Sequence, residues 1–357
     1  MISSMAKIDK FDVINANNFA KHSDIVFSEY LSTEEFDKYL SQEKDIKILE
    51  KIQNDRASFV WYVNTNFTLN ENDIVFCNTE IVELLFEKLK SVKTLNNIKL
   101  ITHQSDRTIT KTLFNKKPKC ISYWYGTNVA YENPNLIPLP IGINDFTFYN
   151  YMNKDILDKY FYLEHKPVDK IKKLYVNFNF NTNRRERSNL HDYFKNKDWA
   201  VVEYPHKDPV EYYKNIEKFK FILCPWGNGY DTYRFWESLY LGSIPITKYH
   251  KAYKNFKEFP AIFVNNYKQI DINSLENQLN RSKEKLNIFY WINLINTNRT
   301  KSSNSETIIY EKVDLNQKIK NILKKRRFQR KVKIIKYFIS RYINVKNYLR
   351  FMRKTKS

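Results

Sequence analysis

The chain has 357 residues, a formal net charge of +21, 42% hydrophobic and 16% aromatic residues. That length exceeds one ordinary domain and carries apolar material for two cores, which excludes wholesale disorder. The charge looks like a nucleic-acid signature until it is located: residues 315–357 hold 16 Lys and Arg and no Asp or Glu, leaving 44 basic against 39 acidic residues in the rest.

The three cysteines, Cys77, Cys120 and Cys224, lie far apart in apolar runs. No pair has metal-ligand spacing and an odd count makes no disulfide framework, so a reducing compartment is expected. The N-terminal stretch lacks the continuous apolar core of a cleaved signal. No run reaches the roughly 18 apolar residues of a membrane span. The expected location is cytoplasmic, with peripheral attachment to the inner face of a membrane left open.

Short strand-like runs occur at Asp24–Phe27, Phe59–Val63, Ile74–Cys77, Lys99–Thr102 and Cys120–Trp124. Helical patterns fall between several of them. Ser32 with Glu35 forms a capping box for a helix through Leu40, and Asn78 or Thr79 caps one running to about Leu89. Strands separated by helices point to a parallel α/β layer. Two loops follow these strands. Thr102–Asp106 (THQSD) stands where open α/β sheets place ligands. The run from Ser122 to Asp145 carries Trp124, Tyr125 and Asn128, then a Pro138–Gly142 turn; its aromatics form either a platform for a sugar ring or part of the core.

Tyr149–Pro167 is polar and aromatic, ends in proline and reads as a linker. A second α/β unit then opens with the strand Lys173–Phe178. Its loop delivers Asn181, Arg184, Arg185 and Arg187 to the start of a helix, where basic side chains oppose the dipole unless an anion sits there. A solvated basic turn is the alternative. The strand Trp199–Tyr204, a helix at Pro209–Lys218, the strand Ala261–Val264 and a helix from about Ile272 to Phe289 complete the unit.

Between them lies the stretch 219–247. It reads as a strand Phe219–Cys224, a turn Pro225–Asp231, a helix from Thr232 to about Leu241 and a strand entered through Gly242. Three of the chain's five glycines, Gly227, Gly229 and Gly242, fall here. On that helix Arg234, Glu237 and Ser238 share one stripe of an otherwise apolar surface. Either Arg234 and Glu237 satisfy each other as an i, i+3 bridge, or they serve a polar ligand at the helix N-terminus, where free N–H groups favour an anion.

The tail places Phe328, Val332, Ile335, Phe338 or Ile339, Tyr342, Val345, Leu349 and Met352 at steps of three or four. One apolar stripe on a strongly cationic helix fits an anionic membrane surface. A helix packed on the body and nucleic-acid contact are the other readings.

The stretch 219–247 resembles the C-terminal signature of exostosin-like glycosyltransferases. The matching residues are Cys224, Pro225, Gly227, Gly229, Asp231, Arg234, Trp236, Glu237, Gly242, Ile244 and Pro245. Weaker likenesses to the bacterial branch, in THQSD, in the WYGTN to PLPIGIN stretch and in YVNFNFNTNRRER, extend the resemblance over about residues 99–265. It implies a GT-B fold: an N-terminal Rossmann-like acceptor domain (1–150) facing a nucleotide-sugar-binding domain (168–300) across a cleft, followed here by the basic amphipathic tail (315–357). It further implies an inverting, metal-independent transfer from a nucleotide-diphosphate donor, a UDP-sugar by expectation, to a glycan or lipid-linked glycan. No Asp-x-Asp motif is present. No cofactor beyond the sugar nucleotide is expected. The donor-binding set is Asn181, Arg185, Arg187, Gly227, Asn228, Gly229, Asp231, Arg234 and Glu237. Trp124, Tyr125 and Asn128 are assigned to the acceptor. An inverting transfer needs one general base, for which Asp106 is first choice, His103 second and Asp231 third. A nucleic-acid-binding protein and a catalytically inactive glycan-binding relative are the competing readings.

Overall fold

The computed structural model describes residues 13–27, 30–32, 46–54, 57–64, 66–144, 152, 154–162, 169–180, 182–205, 208–272, 284–297 and 304–309, with nine positions between 321 and 339. Residues 1–309 form one compact unit and residues 310–357 a second. In chain order the strands of the first unit are β1 (Ile25–Phe27), β2 (Tyr30–Ser32), β3 (Ile46–Asn54), β4 (Ala57–Asn64), β5 (Asn66–Asn70), β6 (Ile74–Asn78), β7 (Ile98–His103), β8 (Ile121–Gly126), β9 (Leu136–Pro138), β10 (Ile171–Val176), β11 (Ala200–Val202), β12 (Phe219–Leu223), β13 (Ile244–Lys248), β14 (Ile262–Val264) and β15 (Ser305–Ile309).

The fold is α/β with two parallel five-stranded sheets. The first has the order β1-β6-β7-β8-β9 and the second β11-β10-β12-β13-β14. Strands β6 and β7 are buried along their whole length, the mark of a parallel sheet covered on both faces. In the second sheet the chain steps from β10 out to β11 and returns to the other side of β10 with β12. The crevice at such a reversal, outside the carboxyl ends of the two diverging strands, is where open α/β sheets bind ligands.

One core cluster draws on both sheets, including Phe76, Ile101 and Tyr125 from the first and Tyr175, Phe219 and Ile222 from the second. The region 149–167 does not behave as a linker where it is described. Met152, Ile156, Leu157, Tyr160 and Phe161 are buried in that same cluster. A helical turn at Lys154–Leu157 widens into a π-helical turn at Asp158–Tyr162, and Tyr160 and Phe161 pack on Tyr213. An aromatic side chain here packs into the core while its polar tip is satisfied, Tyr160 donating to the Val210 carbonyl at 3.1 Å.

The Phe59–Val63 run is a strand, but not in the parallel layer. It belongs to an antiparallel sheet of order β2-β4-β3, with Asn54 paired to Ala57. Two residues between β3 and β4 allow only a hairpin, since a parallel crossover takes a dozen or more. Ser32 ends β2, and the rest of the helix expected through Leu40 lies outside the described residues. The helix at Pro209–Lys218 has the expected bounds, with the Asp208 side chain accepting from Val210 N–H and proline in the first turn. Near the end of the unit the helix occupies Ile288–Asn296, capped by Asn287. It therefore begins where the Ile272–Phe289 pattern was expected to stop, and residues 273–283 lie outside the described set. Among the described residues no helix is long and apolar enough to cross a membrane.

Candidate functional site

At the strand reversal, β10 runs into Asn177, Phe178 and Asn179, while β12 runs into Cys224, Pro225, Trp226 and Gly227. Arg187 joins these two ends. It sits on a single helical turn, Arg184–Arg187, whose cap Asn183 accepts from Glu186 N–H and donates to the Gly227 carbonyl at 2.8 Å. The buried Arg187 guanidinium donates to three carbonyls: Trp226 from Nε at 2.8 Å, Asn179 from Nη1 at 2.9 Å and Pro225 from Nη2 at 2.8 Å. Burial, reinforced by the nearby Arg234 charge, lowers its pKa to about 10, so it remains a cation at neutral pH.

Arg234 approaches the same crevice from the helix Tyr233–Tyr240. The expected stripe is present, but its two charges do not pair. Among the described residues no ion pair joins Arg234 to Glu237. The buried Glu237 carboxylate instead accepts from Tyr212 Oη at 2.8 Å and Tyr213 Oη at 3.0 Å. Arg234 lies over the Tyr212 ring, 5.4 Å from its centroid, and is partly exposed. Burial opposes its charge, but attraction by Tyr212, Cys224 and Glu237 together outweighs burial and raises its pKa. Two guanidinium groups thus share one crevice, each within electrostatic reach of the other and of His191. Burial, with smaller contributions from both arginines, pushes the His191 pKa down. Around them Thr232 Oγ1, His191 Nε2 and Asn177 Oδ1 are buried without hydrogen-bond partners. Thr232 is the N-cap of the Arg234 helix, yet its side chain makes no capping bond. A cationic, under-satisfied crevice at a helix N-terminus is suited to an anion.

The expected residues of the first sheet divide into three groups. Trp124 is 0% exposed, donates from Nε1 to Thr102 Oγ1 at 2.8 Å and packs against Phe86 and Phe114. Tyr125 is also buried, and burial raises its pKa to about 12. Of the two readings of these aromatics, the core one holds, and neither offers a ring face to a sugar. Asn128 and Asp231 form the second group and fasten the two sheets' loops together. Asn128 adopts a positive φ of 54° and its Oδ1 accepts from the N–H groups of Tyr230 at 2.8 Å and Asp231 at 3.1 Å. Asp231 accepts from Ile141 N–H at 2.7 Å and Trp236 Nε1–H at 2.8 Å, and burial lifts its pKa to about 7. Gly229 is what lets these loops meet, because a Cβ there would fall 2.6 Å from Asn128 Oδ1.

That contact is testable by thermal and urea unfolding. Gly229→Ala is expected to cost about 1–3 kcal/mol by overpacking. Asn128→Gly should cost stability alone but relieve the clash when combined with Gly229→Ala, making the pair less than additive. Additive losses would show that the two positions do not meet.

The third group is the THQSD loop. His103 is buried, its Nδ1 accepts from Gln104 N–H at 2.8 Å, and Nε2 lies 3.2 Å from the Pro140 carbonyl. An Nδ1 that accepts leaves the proton on Nε2, which donates to that carbonyl. Burial drops the pKa to about 4. His103 is therefore neutral with both nitrogens engaged and has no free lone pair for an acceptor hydroxyl. Asp106 stays partly exposed. Its loop is shaped by Gln104 at φ 61°, by Ser105 bonded to Glu80, and by the Asn128 amide donating to the Ser105 carbonyl at 3.3 Å.

Arg185 and Asn228 are exposed beside the crevice, and Asn181 lies outside the described residues. Sequence reasoning missed Tyr212 and Tyr213, read only as part of a helix, although a tyrosine doublet one helix before a buried glutamate is a usable signal. It also missed the ring stack of Tyr230 on His250, 3.4 Å between centroids, with Trp226 edge-on. Among the described residues no group of three or more His, Cys, Asp or Glu side chains is gathered. No protein-family model matches the chain, and no curated protein matches it.

Proposed function

We propose that the chain is an exostosin-like glycosyltransferase of GT-B architecture, moving a sugar from a diphosphonucleoside donor to a glycan or lipid-linked glycan with inversion and without a metal. The observation that carries the reading is the pair Arg187 and Arg234 at the β10/β12 reversal, with the one carboxylate on the Arg234 stripe held by tyrosines. Two guanidinium groups that form no salt bridge among the described residues, in a half-buried crevice, favour a ligand with several negative oxygens.

In this reading Arg234 meets the diphosphate directly. Arg187, committed to three carbonyls, holds the two strand ends in place and adds background charge. The acceptor hydroxyl attacks the anomeric carbon as the bond to the diphosphate breaks, Asp106 takes the hydroxyl proton, and Arg234 with the N-terminus of its helix stabilises the leaving group. Glu237 fixes Tyr212 beneath Arg234 and so orients the cation.

A thermal-shift screen against a panel of sugar nucleotides tests this. At least one diphosphonucleoside at about 100 times its Kd should stabilise the protein by about 2.7 kcal/mol, a rise of a few degrees. A folded protein indifferent to the whole panel would refute the donor site.

A further inference from the structure

In the second unit every described position, 321, 324, 325, 328, 329, 331, 332, 335 and 339, is helical. At 100° per residue Phe328, Val332, Ile335 and Ile339 fall within an arc of about 60°. Most of this stripe is exposed, Phe328 by 67%, Ile335 by 55% and Ile339 by 53%, with Val332 partly buried. The exposed Lys324, Lys325 and Lys331 lie within about 60° of Phe328 around the helix, on both sides of it.

We infer that this face docks on an anionic lipid surface. The occupant must cover apolar side chains and at the same time accept positive charge from their flanks. A second copy of the segment fails the second condition, because residues 315–357 carry 16 Lys and Arg and no Asp or Glu, so two such faces repel. A nucleic acid meets the charge but leaves the stripe in water. A bilayer rich in acidic headgroups meets both: the apolar stripe enters the acyl boundary while lysine stems reach back to the phosphates. The inference rests on the second unit alone and is independent of the donor crevice.

The experiment is co-sedimentation of the full chain with vesicles of phosphatidylcholine alone or with about 30% phosphatidylserine, and binding should be at least tenfold tighter to the acidic vesicles and fall as salt is raised. Phe328→Asp with Ile335→Asp should weaken binding to acidic vesicles at least tenfold without changing the melting of the rest of the chain. Lys324, Lys325 and Lys331 changed together to Gln should weaken it also and flatten the salt dependence. Equal affinity for neutral and acidic vesicles, no sedimentation with either, or unchanged binding of both variants would overturn the inference. So would capture of duplex RNA in preference to acidic vesicles, unaffected by the Asp substitutions.

Discussion

Arg234→Ala will lose diphosphonucleoside binding while the ligand-free protein loses far less stability than Arg187→Ala does. Within the protein this side chain lies over the Tyr212 ring and is attracted by Tyr212 and Glu237, and it adds a like charge to the crevice that Arg187 already occupies. Removing it ends its repulsion of Arg187 but also its attraction to the buried Glu237, two effects of opposite sign, while Glu237 keeps its hydrogen bonds from Tyr212 and Tyr213. Losing two charge-assisted hydrogen bonds to phosphate oxygens costs about 3 kcal/mol or more, hence an affinity drop of about 100-fold. Arg187→Ala should do the reverse. It takes the donor from three carbonyls after β10 and β12, of which that of Pro225 is fully buried, for a loss of roughly 2–4 kcal/mol in urea unfolding, with binding falling only as the crevice deforms. Arg187→Lys cannot reproduce a planar fork aimed at three carbonyls and should recover little. Calorimetric titration with the best nucleotide of the screen, beside urea melts of each variant, separates the two roles. If Arg234→Ala binds as tightly as wild type, the crevice is not the donor site. If it unfolds as readily as Arg187→Ala, Arg234 is structural.

The contrast between these two arginines also marks what could be read from the sequence. Both were recognisable as cations at the start of a helix after a strand, from a strand pattern, a glycine turn and a periodic helix, all of which are local signals. Their different employment depends on carbonyls 8 to 39 residues away, which no local pattern carries. The same limit explains Trp124 and Tyr125. An aromatic pair beside an amide reads as a sugar platform, but β8 lies between β7 and β9 in a sheet covered on both faces, so alternation no longer sorts inward from outward residues. The hairpin of β3 and β4 was hidden for a chemical reason. Its link, Asp55-Arg56, lacks the glycine by which two-residue turns announce themselves. Where the determinants were local they were legible, as at Asp208-Pro209, which starts its helix where expected.

Asp231 supplies the second large effect, and its sign is opposite to that of an ordinary salt-bridged carboxylate. Burial raises its pKa to about 7, against about 3.9 in an unfolded chain. Between those values the folded state holds a proton that the unfolded state has lost, so this group stabilises the fold increasingly as pH falls from about 7 towards 4, by about 1.4 kcal/mol per pH unit. His103 and His250 act the other way. Burial, aided at His250 by Lys251, lowers both to about 4, so below about 6.5 the unfolded chain takes up protons that the fold refuses. Together these three groups should leave stability nearly flat just below neutrality and falling under pH 6, concealing the Asp231 contribution in the wild-type profile. Comparison with Asp231→Asn exposes it. The amide offers one acceptor where Ile141 N–H and Trp236 Nε1–H require two, so the variant starts with a loss of about 1–3 kcal/mol at neutral pH. Having no proton to gain, it should then fall behind wild type by roughly a further 1.4 kcal/mol for each unit of acidification towards pH 5. Urea melts of the two proteins at half-unit intervals from pH 8 to 5 read this difference directly; parallel profiles would mean that Asp231 titrates in the native protein as it does in the unfolded chain, its hydrogen bonds from Ile141 and Trp236 fully offsetting the cost of burial.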